Sequence, residues 1–283
     1  MDIIELTTEN IISFIEFIPV DIADYIGRLF YHGLIAVEED EPVAAMVWEL
    51  KNMLNEELKV SNIMWLRVDD EQAAYQMLDQ YEESIMLDDV CRSTFSIAAK
   101  KDSPEQQLLK NAGFSVMLAE GDEISAELWQ VDEVAVMQKI DIDENVVSLW
   151  SAGVNELSEA LNMFEGMGRH GICEDLMYLP RSHFENDVSC FYKQKGTICG
   201  LFLVHLMPSG SMRIELMTAA GKDAKKYILK MIKKALTTAL DMYSVSTKII
   251  IDRHNFSALA LGERLFPYEI GIPVYQGSRN EPV

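Results

Sequence analysis

Residues 211–243 read SMRIELMTAAGKDAKKYILKMIKKALTTALDMY. The opening stretch, Ser211 to Thr218, has the alternation of a strand, which groups Arg213, Glu215 and Met217 on one face and Ile214 and Leu216 on the other. Small residues and Gly221 then lead into a helix from Asp223 to Tyr243. Its apolar positions Ala224, Tyr227, Ile228, Met231, Ile232, Ala235, Leu236, Ala239 and Leu240 recur with a 3.6-residue period. Working outward, the pattern predicts a strand over Thr247–Asp252, a short helix over Ser257–Leu265 and a last strand over Tyr268–Tyr275. Before it come helical patterns near Asn155–Met167 and Pro180–Glu185, then a hairpin of Val188–Tyr192 with Ile198–Met207.

The first half of the chain has the same order. A strand at Ile3–Leu6 precedes helical patterns up to Phe17 and from Asp21, then a hairpin of Leu34–Val37 with Val43–Leu50. Val60–Val68 reads as a strand. The helix from Asp70 carries Ala74, Met77, Leu78, Tyr81 and Ile85 on one face, and Arg92–Ala99 is again a strand. Pro104 opens a short helix that Gly113 ends. Phe114–Ala119 and Ile124–Val131 read as a closing hairpin around Glu120-Gly121-Asp122-Glu123. Strand–long helix–strand–short helix–strand thus recurs about one domain length apart. The reading is an α/β chain of mixed sheets in two tandem domains, 1–140 and 145–283, joined by the polar Asp141-Ile142-Asp143-Glu144.

The net charge is −22, and residues 1–144 hold 9 Lys+Arg against 32 Asp+Glu. That balance argues against nucleic acid as a partner, because phosphate contacts need clustered bases. The apolar runs are too short for a bilayer, and the acidic start Met1-Asp2-Ile3-Ile4-Glu5 lacks the base of a signal peptide. The expectation is a cytoplasmic protein without a membrane partner. Cys91, Cys173, Cys190 and Cys199 form no CxxC pair. His32, His170, His183, His205 and His254 have no metal-ligand spacing, so no metal is expected.

Two stretches carry a resemblance. Ser103-Pro104-Glu105-Gln106-Gln107-Leu108-Leu109-Lys110-Asn111-Ala112-Gly113-Phe114 is similar to the short helix ending in Leu-Gly-Phe of the GNAT superfamily of N-acetyltransferases. Asn255-Phe256-Ser257-Ala258-Leu259-Ala260-Leu261-Gly262-Glu263-Arg264-Leu265-Phe266 resembles the same family's Asn-x-x-Ala-x-x-Leu-Tyr-x-x-x-Gly-Phe. With the order of elements, the resemblance extends over nearly the whole chain. It implies two tandem acyl-CoA N-acyltransferase (GNAT-like) domains and acetyl-CoA (coenzyme A) as cofactor.

In that family a phosphate-binding loop, Arg/Gln-x-x-Gly-x-Gly/Ala, opens the long helix, where unpaired amides and the positive dipole end face the pyrophosphate. Laid on Thr218-Ala219-Ala220-Gly221-Lys222-Asp223-Ala224-Lys225-Lys226, Gly221 takes the first glycine, Asp223 the second and Thr218 the leading basic position. The resemblance assigns Leu216, Met217, Thr218, Gly221, Lys222, Ala224, Lys225 and Asn255 to the cofactor. Near Leu216 or Met217 a backbone amide would hold the thioester carbonyl. The lysines also read as a solvated helix face, and Asn255 as a cap. In the first half, Arg67-Val68-Asp69-Asp70-Glu71-Gln72-Ala73 has no glycine and sets three carboxylates in that place, so that copy is expected not to bind coenzyme A.

Glu215, on the strand beside the gap where the family holds its acyl group, is the candidate base, with pairing to Arg213 as the bland alternative. The family's Tyr acid falls on Gly262, and on Leu109 in the first half. Tyr227, Tyr268 and Tyr275 are left as substitutes. The expected activity is acyl-CoA-dependent transfer of an acetyl group to a small cationic amine. The alternative is a catalytically silent GNAT-like binding or interaction module.

Overall fold

The computed structural model describes residues 1–53, 58–167, 176–177, 179–252, 256–266 and 271–282. It divides into two compact units, the first made of Met1–Glu123 with Ile272–Val283 and the second of Ile124–Gly271.

In the first unit the sheet runs β1 (Asp2–Glu5), β2 (Tyr31–Glu38), β3 (Glu41–Met53), β4 (Leu58–Val68), β5 (Val90–Ala98), β12 (Ile272–Asn280) and β6 (Ser115–Glu127). Strand β3 is buried from Ala44 to Glu49, as a central strand covered on both faces must be. Helices α2 (Glu71–Leu87) and α3 (Pro104–Asn111) cover one face, where Ala73, Ala74, Met77, Leu78, Tyr81, Leu108 and Leu109 form a core with Ile63, Phe95 and Phe114. Leu6, Ile11, Phe17, Ile18 and Tyr25 cover the other. The two helices expected before β2 shrink to a 3-10 turn at Ile11–Phe14 and α1 (Val20–Ala23). Neither has a side-chain cap, and Leu29, beyond the end of α1, is exposed.

The closing hairpin expected at Phe114–Val131 is absent. Residues 115–127 are one strand, β6, followed by the helix α4 (Leu128–Asp132). Its partner comes from the far end of the chain. Strand β12 lies between β5 and β6, antiparallel to both, from Val274 opposite Ala98 to Asn280 opposite Arg92, and from Ile272 opposite Glu123 to Ser278 opposite Ser115. The fit is close: a Cβ on Gly277 would stand 1.6 Å from the Ser115 carbonyl oxygen. Arg279 anchors the strand through Glu82 at 2.6 Å, Glu281 and the Ala112 carbonyl. The last strand therefore does not close the second half, and the units depart from the expected bounds 1–140 and 145–283. The first unit, so composed, holds 9 Lys+Arg and 27 Asp+Glu, a formal charge of −18.

In the second unit β7 (Val146–Ser148), β8 (Cys190–Gln194), β9 (Thr197–Leu206), β10 (Met212–Ala219) and β11 (Lys248–Asp252) follow in spatial order, with the end of β6 beside β11. Helix α7 (Ala224–Met242) buries Tyr227, Met231, Ile232, Ala235, Leu236 and Ala239 on one face, the period expected of it. It shares that face with α4, α5 (Ala135–Gln138) and the end of α8 (Phe256–Leu265). Helix α6 (Glu156–Gly166) covers the opposite face with Leu157, Leu161 and Phe164. The expected linker holds a structural contact: Asp143 accepts from Lys230, from the Asn145 backbone amide at 2.8 Å and from its side-chain amide at 2.7 Å. No described helix is long and apolar enough to cross a membrane.

Candidate active site between parted strands

Strands β10 and β11 are parallel and pair only where Met212 faces Ile249 and Arg213 faces Ile250. Both run on, but apart. Among the described residues the partner of β10 from Ile214 to Ala219 is β9 alone, so alternate amides and carbonyls on its other edge face a gap. At the mouth of the gap the register with β9 slips. Ile214 faces Val204, yet Leu216 faces Leu203, and Glu215 is the extra residue of a β-bulge.

The bulge changes which side chains share a face. Met212, Ile214, Met217 and Ala219 pack with α7, whereas Leu216 points to the core under α6. The expected grouping of Arg213, Glu215 and Met217 against Ile214 and Leu216 is thus overturned, because one inserted residue reverses the alternation beyond it. The apolar doublet Leu216-Met217 is the trace of this reversal in the sequence.

Glu215 is almost buried, its side chain 14% exposed, and its Oε1 lies 3.9 Å from Nε2 of His183, itself 10% exposed. Among the described residues neither atom has a hydrogen-bond partner. His183 ends the 3-10 turn Arg181–His183, and its ring lies flat on His205 at 3.9 Å between centroids and 10° between planes. Nδ1 of His205 donates to the His183 carbonyl at 2.7 Å. Arg213 faces His205 across the β9–β10 ladder and turns to Asp252 at 3.7 Å. Sequence spacing hid this constellation, since the two histidines are scattered along the chain. Only the register of the hairpin at Pro208-Ser209-Gly210 brings His205 beside Arg213. Among the described residues no His, Cys, Asp or Glu group is arranged to hold a metal.

At the far end of the gap the chain enters α7 through Ala220–Asp223. Gly221 has φ +93, a conformation glycine takes without strain, and a Cβ there would meet nothing within 4 Å. Among the described residues the amides of Gly221, Lys222, Asp223 and Lys225 find no acceptor, while Ala224 and Lys226 donate to the Gly221 and Asp223 carbonyls. Asp223 stands at the N-cap without capping, and its carboxylate meets Lys226 at 3.3 Å. Lys222 and Lys225 are exposed, Ala224 is half-buried, and Leu216 and Thr218 are buried. Unspent donors at the positive end of a 19-residue helix fit an anion. Asn255, with Arg253 and His254, lies outside the described residues, as does Tyr268.

The position of the family's phenol acid holds no phenol in either copy. Leu109 is core, and Gly262 lies inside α8. Tyr227 donates to Gln194 at 3.3 Å and stacks on Tyr192, and Tyr275 belongs to β12 in the first unit.

The first unit has the same backbone device. Strands β4 and β5 pair from Lys59 opposite Val90 to Ile63 opposite Phe95 and then part. A bulge at Met64 marks the spot, with Trp48 facing Ile63 and Val47 facing Trp65. A cavity of about 360 Å³ follows, lined by Phe17, Trp65, Leu66, Arg67, Ile97 and Glu105 among others. Here the donors of Val68, Asp69, Asp70 and Ala73 are spent. The Asp70 carboxylate caps α2 on the Ala73 amide at 2.8 Å, the Asp69 and Asp70 amides donate to the Val43 carbonyl, and the Val68 amide donates to Glu105 at 3.3 Å. Arg67 is held by Asp69 and the Phe17 carbonyl.

No protein-family model matches the sequence, and no curated protein matches it. Solved structures do. A tandem GNAT protein from the clavulanic acid biosynthesis pathway superposes with a TM-score of 0.67 at 10% identity, over 100% of this chain and 99% of that one. A GCN5-related N-acetyltransferase from Sphaerobacter thermophilus gives 0.59 at 12% identity, over 96% of this chain and 85% of that one. A conserved Enterococcus faecalis protein described as a probable N-acyltransferase gives 0.54 at 10% identity, over 99% and 72%. Each unit has parallel strands that part at a bulge, and the likeness over 100% of this chain and 99% of the other gives the chain the fold of a tandem GNAT protein.

Proposed function

We propose that the chain is an acyl-CoA-dependent N-acyltransferase whose one working site lies in the second unit and whose acceptor is a small cationic amine. The observation that carries this is the contrast between the two helix starts. A glycine loop whose amides have no acceptor among the described residues accompanies the parted strands β10 and β11, whereas in the first unit there is no glycine and the Val68, Asp69, Asp70 and Ala73 amides are consumed by Glu105, Val43 and Asp70.

In this reading Gly221, Lys222, Ala224 and Lys225 hold the pyrophosphate, with Thr218 and Asn255 toward the cofactor arm. The β10 edge at Leu216 and Met217 supplies the amide that polarises the acyl carbonyl. Coenzyme A when loaded supplies an activated acyl carbon. The chain's own task is to strip a proton from the acceptor ammonium, and Glu215 at the bulge is the carboxylate that serves it, directly or through a neighbouring group. The acidic first unit, at −18, favours approach of a cation by its field. Cytoplasmic acetyl-CoA suits the expected compartment.

Acetyl-CoA in hundredfold excess over its Kd would stabilise the fold by about 2.7 kcal/mol, a clear rise in Tm. A panel of amines with detection of released thiol then reads turnover. No rise in Tm at millimolar cofactor sinks the reading. A rise with no turnover on any amine favours a silent binding module, for which the lack of a phenol at Gly262 speaks.

A further inference from the structure

The acyltransferase reading leaves one buried feature unused. His183 Nε2 and Glu215 Oε1 face each other at 3.9 Å, beyond hydrogen-bond range, and neither atom has a hydrogen-bond partner among the described residues. Burying a carboxylate and an imidazole with unspent capacity is costly, and packing alone would select against it. His205 stacks on the His183 ring and binds its carbonyl, so ring and backbone are both held in place. Phe184 adds an edge-on contact at 5.1 Å. The pair also sits at the bulge where β10 leaves β11, the mouth of the gap.

We propose that His183 and Glu215 act as one proton-accepting pair, resting on the acyltransferase reading of this site. The acceptor ammonium gives one proton to the Nε2 lone pair of His183. The products of the step are a neutral amine, whose lone pair is now free, and an imidazolium that the Glu215 carboxylate stabilises at short range. Histidine ordinarily titrates nearer to neutral pH than glutamate does, which makes it the better matched acceptor. Glu215 is then a positioning and charge-stabilising residue, and His205 holds the plane of the ring. The pair names the substrate class more closely: an acceptor that arrives protonated.

The other charged groups around the ring are accounted for. On β10 and β11, Arg213 and Asp252 face each other at 3.7 Å. On the histidine's own turn, Arg181 is bound to Asn186 and to the Leu149 and Ala152 carbonyls. Glu185 is engaged with the Tyr243 phenol, which burial and that carboxylate push up.

The test is a double-mutant cycle on the full chain without any ligand, using His183→Gln, Glu215→Gln and the double variant. At pH 5.5, where imidazole is ordinarily charged, the Tm changes are non-additive by about 2 °C, and at pH 9 the coupling vanishes. A packing role alone gives the same coupling at both. In turnover, His183→Ala loses about 100-fold in kcat/KM and regains at least about tenfold with imidazole in the buffer, while acetyl-CoA still raises its Tm. Additive Tm changes at both pH values overturn the pair, as does His183→Ala keeping its rate within about threefold. In either case wild-type turnover leaves the acyltransferase reading standing. Absence of any cofactor effect on wild-type Tm overturns that reading, and the catalytic assignment of the pair with it.

Discussion

Glu215 and Asp143 show what a single position can and cannot disclose. Glu215 stood out in the sequence as an acid on an otherwise mixed strand, but its facing was misjudged, because alternation assumes no bulge. Asp143 read as part of a polar linker, yet it is a half-buried anchor for α7. Burial pushes its carboxyl up, but Lys230 and the two Asn145 donors outweigh that and hold it down at about 2, against an ordinary 3.8. A carboxyl depressed in the folded state contributes stability that is complete above its unfolded value and is lost as pH falls through about 2. Asp143→Asn therefore lowers stability at pH 7 by on the order of 1 kcal/mol after solvent screening. The deficit relative to wild type narrows from pH 4 toward pH 2. Urea titrations across that range check it, and a gap of constant size would rule it out.

Among the elements, α7 was the most legible, since its 3.6-residue period survives from sequence to burial. Strand β6 was the least. Glu120-Gly121-Asp122-Glu123 has turn composition, and the run after it is apolar, so a local hairpin was the natural inference. A partner that arrives some 150 residues later leaves no local trace. The loop before α7 lies between these extremes: its glycine was visible, but not the fact that Asp223 pairs with Lys226 and leaves the amides unspent. Gly221→Ala tests it. No atom blocks the new methyl, so the cost is conformational, about 1 kcal/mol. A loop that escapes positive φ re-aims its amides, and acetyl-CoA affinity falls about tenfold. Isothermal titration giving wild-type affinity would remove the loop from the cofactor site.

For the molecule as a whole, the sequence disclosed two copies of one fold but placed the border by charge and polarity, and contacts place it elsewhere. A fragment of residues 1–140 lacks β12 and is not a complete unit. Ending the chain after Gly271 strips β5 and β6 of their common partner and removes the Arg279 anchor. The expected result is selective loss of the first unit, with limited proteolysis leaving a resistant fragment close to residues 124–271. A truncated chain that melts in one transition at the wild-type Tm would contradict this.

The placing of β12 also sets an order of events during synthesis. The ribosome delivers the first unit's other segments well before β12, the strand between β5 and β6, so that unit must wait, with the Phe95 and Phe114 side of its sheet incomplete, until β12 has emerged. The second unit, though encoded later, has all its parts once Gly271 has emerged and is free to mature ahead of the first. A nascent chain stalled between Gly271 and β12 would thus be a half-built molecule whose unfinished portion is the earlier-made unit, a natural target for chaperones.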